Sequence, residues 1–120
     1  MTTQQKKTRL EKKGLELWKQ ACAKKWGTKC EICGKDASTF HHFIYKSASN
    51  ALKFDVENGV PICRDCHFKI HRQKKNGFMA LRIRDRRGKK WSDYIQSKDG
   101  VLINRTIGWL EEQIKGLDIY

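Results

Sequence analysis

Apolar residues recur at helical spacing near both ends of the chain. Toward the N-terminus they share one helical face, with lysines on the remaining faces, at Leu10, Leu17, Trp18, Ala21 and Cys22. This spacing predicts an amphipathic helix. Thr8 and Glu11 stand three positions apart, as in a capping box, so we expect the helix to begin at Thr8. Cys22 falls on the apolar face and is expected to be a buried structural residue.

The apolar stripe near the C-terminus consists of Ile103, Ile107, Leu110, Ile114 and Leu117. It predicts an amphipathic packing helix from Asn104 to Gly116.

Between these two segments, apolar and basic residues alternate. Met79, Leu81 and Ile83 are the apolar positions. Arg82, Arg84 and Arg86 are the basic ones. Alternation favours a strand with arginines on one face, whereas a helix through Phe78 and Leu81 fits nearly as well.

The centre of the chain predicts two strands followed by a helix. Residues 38–45 are rich in Thr, aromatic and branched side chains, so they are typical of a strand that directs His41 and His42 to opposite faces. Asn58 and Gly59 form a turn signal before a short apolar segment that returns as the second strand. The segment from Cys66 to His71 follows as a helix, which places His67 and His71 on one face. The expected fold class is therefore α+β.

Composition indicates a soluble, reduced protein with a polyanionic partner. With 120 residues, we expect one domain spanning residues 1–120. An odd count of five cysteines and a start without an apolar signal segment indicate free thiols and a cytoplasmic location, and no apolar run is long enough for a membrane. The net charge of +13 is typical of a protein that binds nucleic acid.

The positive charge lies in two arms. Residues 1–29 hold nine Lys and Arg against two acids, and residues 64–91 hold eleven against two, which gives +7 and +9. The segments 30–63 and 92–120 carry −1 and −2. Such arms suit the sequence-independent grip of phosphates around a central site. We expect a basic helical arm over 1–29, a core over 30–75, and a basic segment with the packing helix over 76–120.

Two CxxC pairs predict a structural zinc site. Cys30 and Cys33 are separated from Cys63 and Cys66 by 29 residues. Zinc prefers four tetrahedral ligands, and a two-residue gap lets both thiolates of a turn reach one ion. A plain zinc ribbon without chemistry is the alternative, but the long insertion between the pairs contains a His pair.

The order of these motifs resembles the HNH nuclease family, including small phage-encoded members. The matching features are a CxxC knuckle, the pair His41–His42, Asn58, and a second CxxC followed at once by His67. The resemblance covers residues 30–71 and implies the ββα-metal fold, with flanking N- and C-terminal helices outside it.

The same resemblance implies a role for each residue. His42 would be the general base, and His41 and His67 would bind a catalytic divalent ion such as Mg²⁺ or Mn²⁺. His71 would add a third ligand, as in the colicin-type branch. Asn58 would either orient the base through its side-chain carbonyl or reach the metal. Cleavage would leave 5′-phosphate and 3′-hydroxyl ends.

The chemistry of phosphodiester hydrolysis supports this interpretation. It needs a deprotonated water and a cation beside the scissile phosphate, and an imidazole with a pKa near ~6.5 can accept the proton at neutral pH. The first hypothesis is therefore an HNH endonuclease acting on DNA, as a monomer or alternatively a dimer. DNA contacts are expected from Lys46 and from the arginines Arg82, Arg84 and Arg86. The alternatives are a non-catalytic zinc-ribbon DNA-binding or recombination accessory protein, and an RNA-directed factor, which the missing aromatic RNA-recognition signature disfavours.

Overall fold

The computed structural model describes residues 1–45, 50–72 and 76–120, with the side chains of residues 72 and 76 left aside. Over these ranges five helices and two strands form in the order α1 Thr3–Trp26, β1 Thr39–His42, β2 Gly59–Ile62, α2 Arg64–Arg72, α3 Asn76–Arg87, α4 Lys89–Lys98 and α5 Ile107–Leu117. Short 3₁₀ turns cover Asn50–Leu52 and Val56–Asn58. The predicted α+β class is confirmed. In the described parts of the chain, no helix combines the length and apolar character that crossing a bilayer requires.

The two strands form an antiparallel hairpin that leads directly into α2. Thr39 lies opposite Ile62, and His42 lies opposite Gly59. Pro61 lacks an N–H, but its carbonyl accepts a bond of 3.0 Å from the backbone N–H of Glu31, which ties the first CxxC turn to the outer edge of β2. The predicted strand, strand, helix order is thus confirmed.

The apolar residues form two clusters on either side of the hairpin. The first joins the hairpin to α2, α3 and α4 through residues such as Ile62, Ile70, Ile83, Trp91 and Ile95. The second joins α1 to α5 through Trp18, Cys22, Phe54, Leu110 and Leu117. Trp26 packs against both clusters. The flanking helices therefore pack together beside the ββα core, and the prediction that Cys22 is buried is confirmed.

Helix α1 begins five residues earlier than predicted. Thr2 is its N-cap, and the capping box is formed by Thr2 and Gln5 rather than by Thr8 and Glu11. The carboxylate of Glu11 instead faces Lys53 and Arg105, with which it forms ion pairs. Thr2 with Gln5 and Thr8 with Glu11 both have the spacing of a capping box. Only the first pair forms one, because the side chain of Glu11 is directed to its ion-pair partners instead.

The alternating segment is a helix, so the favoured prediction of a strand is wrong. Met79 and Ile83 are buried four residues apart on one side of α3, whereas Leu81 between them is 57% exposed. Residues two apart share a face in a strand but not in a helix, so burial follows the helical period. The arginines consequently do not form one row.

Helix α5 begins at Ile107, three residues later than predicted, and ends at Leu117. Thr106 caps it by accepting from the backbone N–H of Trp109. Ile103 lies before the helix, where its backbone N–H and carbonyl both bond to the side chain of Asn50. A side-chain amide can replace the helical partners of one residue, which explains the late start.

Candidate metal centres and catalytic residues

The four predicted zinc ligands lie together. The Sγ atoms of Cys30, Cys33, Cys63 and Cys66, here called the cysteine cluster, are all within 4.8 Å of one another. The first pair sits in a turn that Gly34 closes, with its N–H bonded to the carbonyl of Cys30 and a φ of 82° that favours glycine. The second pair spans the end of β2 and the first turn of α2.

The donor set of the cysteine cluster is compatible with zinc. All of its members are free thiols, and three of the four are buried. Burial acts to raise the pKa of the Cys30 thiol, but several backbone hydrogen bonds, led by that of Cys33, together outweigh it. The net effect lowers the pKa of Cys30 to about 7. Burial and neighbouring thiols raise the pKa of Cys66. One thiolate is thus favoured by the fold, and bound zinc would hold the other three in the same form.

A buried ion pair fixes the first CxxC turn, and the sequence did not reveal it. Glu31, inside that turn, accepts from the guanidinium of Arg87 at the end of α3, with both side chains no more than 5% exposed. Arg87 also donates to the carbonyls of Glu57 and Gly59 and lies 3.5 Å above the ring of Trp26. These contacts join the cysteine cluster to the start of β2. No local pattern connects residues 56 positions apart.

Three of the four histidines form a second cluster. One nitrogen each from His41, His67 and His71, here called the histidine triplet, lies within 4.8 Å of the others. His41 comes from β1, while His67 and His71 are one turn apart on α2. The Nε2 atoms of His67 and His71 are 3.0 Å apart, close enough for both to reach one ion at about 2.0–2.1 Å. His71 is exposed, so the triplet opens to solvent on that side.

Two members of the triplet, His41 and His67, favour the neutral imidazole. Burial, followed by the charges of His67, His71 and His42, lowers the pKa of His41 to about 4. Burial and His71 lower the pKa of His67 as well. A neutral imidazole carries the lone pair that a metal ion requires. His41 and His67 therefore favour the neutral form, which suits the binding of a divalent cation.

His42 lies apart from the triplet, on the opposite side of β1. Its ring stacks on Trp18 with centroids 4.1 Å apart and planes 6° from parallel. Its Nε2 is 2.9 Å from the backbone carbonyl of Lys53. Since a carbonyl only accepts, Nε2 must carry the proton, and neutral His42 then has its basic lone pair on Nδ1. The predicted separation of His41 and His42 onto two faces is confirmed.

Asn58 is fully buried and holds the chain that follows β1. Its Oδ1 accepts from the N–H of Ile44, and its Nδ2 donates to the carbonyls of Ile44 and Leu52. These bonds join the residue before β2 to two points of the loop that connects the strands, one just after β1 and one at the 3₁₀ turn of Leu52. Asn58 therefore shapes the loop around the site, and its contact with the base or the metal stays a prediction.

The predicted DNA contacts are only partly described. Lys46 lies outside the described residues. Arg82, Arg84 and Arg86 are all exposed on α3. The guanidinium of Arg82 lies 5.9 Å from the ring of Phe78, and that of Arg84 lies 6.0 Å from the ring of Phe43. All three remain accessible to a phosphate backbone.

A hairpin followed by a helix, carrying a cluster of four cysteine thiols and a separate histidine cluster, defines a small ββα domain with two candidate metal sites. Residues 30–73 match the model of the HNH endonuclease family, which confirms that this segment is an HNH domain, as its resemblance predicts. The HNH domain relates the chain to a family of nucleases and DNA-binding proteins.

Two curated proteins share part of this sequence. The chain is 45% identical over 49 residues to a mitochondrial DNA mismatch repair protein mutS homolog from Sarcophyton glaucum, which covers 38% of the chain and 5% of that protein. It is 36% identical over 59 residues to a putative COX1/OXI3 intron 2 protein from Saccharomyces cerevisiae, which covers 40% of the chain and 7% of that protein. The chain thus spans less than a tenth of these relatives. No solved structure matches it significantly.

Proposed function

We propose that this protein is a metal-dependent DNA endonuclease that hydrolyses phosphodiester bonds and leaves 5′-phosphate and 3′-hydroxyl ends. One observation carries the proposal: the histidine triplet lies within 4.8 Å as a set separate from the cysteine cluster. With zinc held by four thiols, a protein that only needed a structural ion would have no use for three converging imidazoles. The residues 1–120 act together as one nuclease domain, in a reducing cytoplasm that keeps the thiols free.

The histidine triplet would hold the catalytic ion, which is Mg²⁺, Mn²⁺ or another divalent ion that accepts imidazole ligands. A divalent ion bound there would neutralise charge on the scissile phosphate and on the leaving 3′ oxygen. His41 and His67 supply two nitrogens, and the exposed His71 supplies a third at the solvent side. Three protein ligands leave coordination positions for phosphate and water, as catalytic sites require.

His42 would act as the general base. Its Nδ1 takes a proton from a water molecule, whose oxygen attacks phosphorus in line with the 3′ oxygen. The bond between phosphorus and that oxygen then breaks, and the 3′ oxygen gains a proton from solvent. Asn58 contributes indirectly, because its bonds to Ile44 and Leu52 fix the loop that follows the His41–His42 strand.

The exposed basic residues would bind the DNA backbone. The arginines of α3 and the lysines of α1 lie on surfaces that flank the ββα core, and phosphate contacts supply affinity without sequence information. This grip explains why both arms are basic while residues 30–63 between them are near neutral.

The test is cleavage of supercoiled plasmid with Mg²⁺, Mn²⁺ or Zn²⁺, comparing the wild type with His42→Ala. We expect the variant to lose cleavage but keep its zinc content, its circular dichroism and nearly all its DNA affinity, because His42 is neither a ligand nor a phosphate anchor. Nicks of the proposed chemistry should be sealed directly by DNA ligase. A wild type that binds plasmid but never cuts it would instead support a non-catalytic zinc-ribbon DNA-binding protein.

A further inference from the structure

The imidazole of His42 is held on one face by helix α1. Trp18 is 0% exposed, and its indole lies 4.1 Å from the imidazole with the planes 6° apart. The indole is itself fixed, because its Nε1–H donates to the carbonyl of Asp55 at 2.8 Å. A parallel stack on an immobile partner prevents the imidazole from tilting.

The second constraint on His42 is a hydrogen bond to Lys53, a residue that is itself paired with α1. The carbonyl of Lys53 accepts from Nε2 at 2.9 Å and so fixes the rotation of the ring within its plane. The side chain of Lys53 is only 8% exposed, and its Nζ lies 3.1 Å from Oε2 of Glu11 in α1. Glu11 is in turn paired with Arg105 at 2.7 Å. The stack on Trp18 thus limits the tilt of the imidazole and the bond to Lys53 limits its rotation, and Lys53 is itself paired with Glu11 of α1.

Helix α1 lies outside the HNH domain of residues 30–73. Resting on the function proposed above, we propose that Trp18 is a positioning residue for His42 and that α1 is part of the catalytic apparatus as well as a basic arm. The indole keeps the imidazole plane fixed, so that Nδ1 stays directed at the position of the attacking water. His41 needs no such support, because it faces α2 on the other side of β1.

The contribution of Trp18 should appear in the chemical step. Misplacing a reacting group by about 1 Å can reduce a rate on the order of 10²-fold, because the reactive geometry is reached less often. Trp18→Leu removes the flat ring, whereas Trp18→Phe keeps an aromatic face against His42. Both variants lack the bond to Asp55, so the difference between them isolates the stack.

The experiment measures kcat and KM for plasmid cleavage in both variants. We expect Trp18→Leu to lower kcat about 10²-fold with KM nearly unchanged, and Trp18→Phe to stay within about threefold of the wild type. Trp26→Leu is the matched control. Trp26 lies on the same helix and donates its Nε1–H to the carbonyl of Val56 at 2.8 Å, but its ring lies against the guanidinium of Arg87. This control should be less stable and keep its kcat.

Nuclear magnetic resonance of the wild-type imidazole tests the geometry without any cleavage. We expect the ring protons of His42 to be shifted upfield by the indole and the Nε2–H form to be the neutral tautomer, and both signatures should persist in Trp18→Phe. A folded Trp18→Leu variant with wild-type kcat, or a wild-type His42 without the upfield shift, would overturn the proposal. Failure of the wild type to cleave would overturn the nuclease function, and the resonance signatures would still report on the stack.

Discussion

At the scale of single residues, Arg87 makes the most connected set of contacts in the described core. Its guanidinium pairs with Glu31, donates to two backbone carbonyls and lies between the rings of Trp26 and Trp91. Burying a charge is costly unless it is paired and hydrogen-bonded, and here both conditions are met. Removing one partner would leave the other charge buried without compensation.

We therefore expect Arg87→Ala to lower the free energy of unfolding by about 3–5 kcal/mol. Arg87→Lys should be nearly as damaging, because an ammonium cannot reproduce the planar fork that bonds Glu31 and two carbonyls. Urea denaturation with zinc present measures the effect. Arg86→Ala is the control, since the neighbouring arginine is exposed and should change stability little. Equal effects of the two alanine variants would contradict the role given to Arg87.

Residue-scale prediction from the sequence succeeded where the chemistry itself requires a spacing. The two CxxC pairs and the His67–His71 spacing brought donors together, because a turn or one helical repeat fixes such distances. It could not find the pair of Glu31 and Arg87, or the stack of Trp18 on His42, since these depend on how distant elements pack. The bonds of Asn58 to Ile44 and Leu52 likewise follow from the path of the loop.

At the scale of elements, α1 approaches β2 so closely that only glycine fits between them. A Cβ on Gly59 would lie 2.3 Å from Sγ of Cys22 and 3.1 Å from the ring of Trp18. The φ of Gly59 is −92°, which any residue adopts, so space rather than backbone conformation requires glycine here. This contact sets how near α1 stands to the strand that ends the hairpin.

Gly59→Ala should therefore destabilise the protein by about 1–3 kcal/mol through overpacking. Adding Cys22→Ala should recover part of that stability, because it removes the nearest atom. Thermal or urea unfolding of both single variants and the double variant measures this coupling. Gly116→Ala, in α5 where an added Cβ would meet no described neighbour within 4 Å, is the control and should be neutral or slightly stabilising. Purely additive effects at Gly59 and Cys22 would argue against the close approach.

Element boundaries were predicted less well than element types. The spacing of Met79, Leu81 and Ile83 was compatible with both a strand and a helix. In the structure Met79 and Ile83 are buried and Leu81 is exposed, which is the pattern of a helix. The start of α1 was misplaced because two capping patterns compete within its first turns. In both cases the local sequence allowed two structures of similar stability. A tertiary contact, which cannot be read from the local sequence, determined which of them formed.

At the scale of the whole molecule, the two clusters of metal-type ligands should respond differently to chelation. Three members of the cysteine cluster, Cys30, Cys63 and Cys66, belong to the first apolar cluster, and the four together link the hairpin, α2 and the first CxxC turn. The histidine triplet reaches the surface through the exposed His71, so an ion held there would be open to solvent. Loss of an ion from the first should affect the fold, and loss from the second should affect activity alone.

We expect dilute EDTA to abolish cleavage with the circular dichroism unchanged, and added Mg²⁺ or Mn²⁺ to restore it. A thiol-reactive mercurial should instead release about one zinc per chain and melt the core, because binding by four thiolates is coupled to folding. Metal analysis and dichroism follow the two steps. Protein without tightly bound zinc, or activity that survives complete chelation, would contradict the assignment of two sites.

DNA binding should weaken steeply as salt increases. Each phosphate contact releases condensed counterions, so replacing Arg82, Arg84 and Arg86 with Gln should reduce the slope of log affinity against log salt by about 0.9 for each phosphate that the variant no longer binds. Fluorescence anisotropy across a salt series measures the slope. Replacing Lys98 and Lys115, from the segment of net charge −2, is the control and should leave it nearly unchanged. An identical slope in the arginine variant would mean that α3 faces away from DNA.

The pairing of α1 with α5 has a consequence for the order of folding. Lys24 bonds to the carbonyl of Tyr120 across 96 positions, and Arg105 pairs with Glu11 across 94. Contacts between residues so far apart in sequence form slowly, because the entropy of closing a long loop is lost before the contacts stabilise the chain. During synthesis α1 emerges before the hairpin, yet its apolar face contacts Leu110 and Leu117 of α5, which are made only after the hairpin, α2, α3 and α4. The segment of residues 30–73 between them can meanwhile assemble locally around its four cysteines, so we expect the candidate zinc site to form before α1 is held in place by α5.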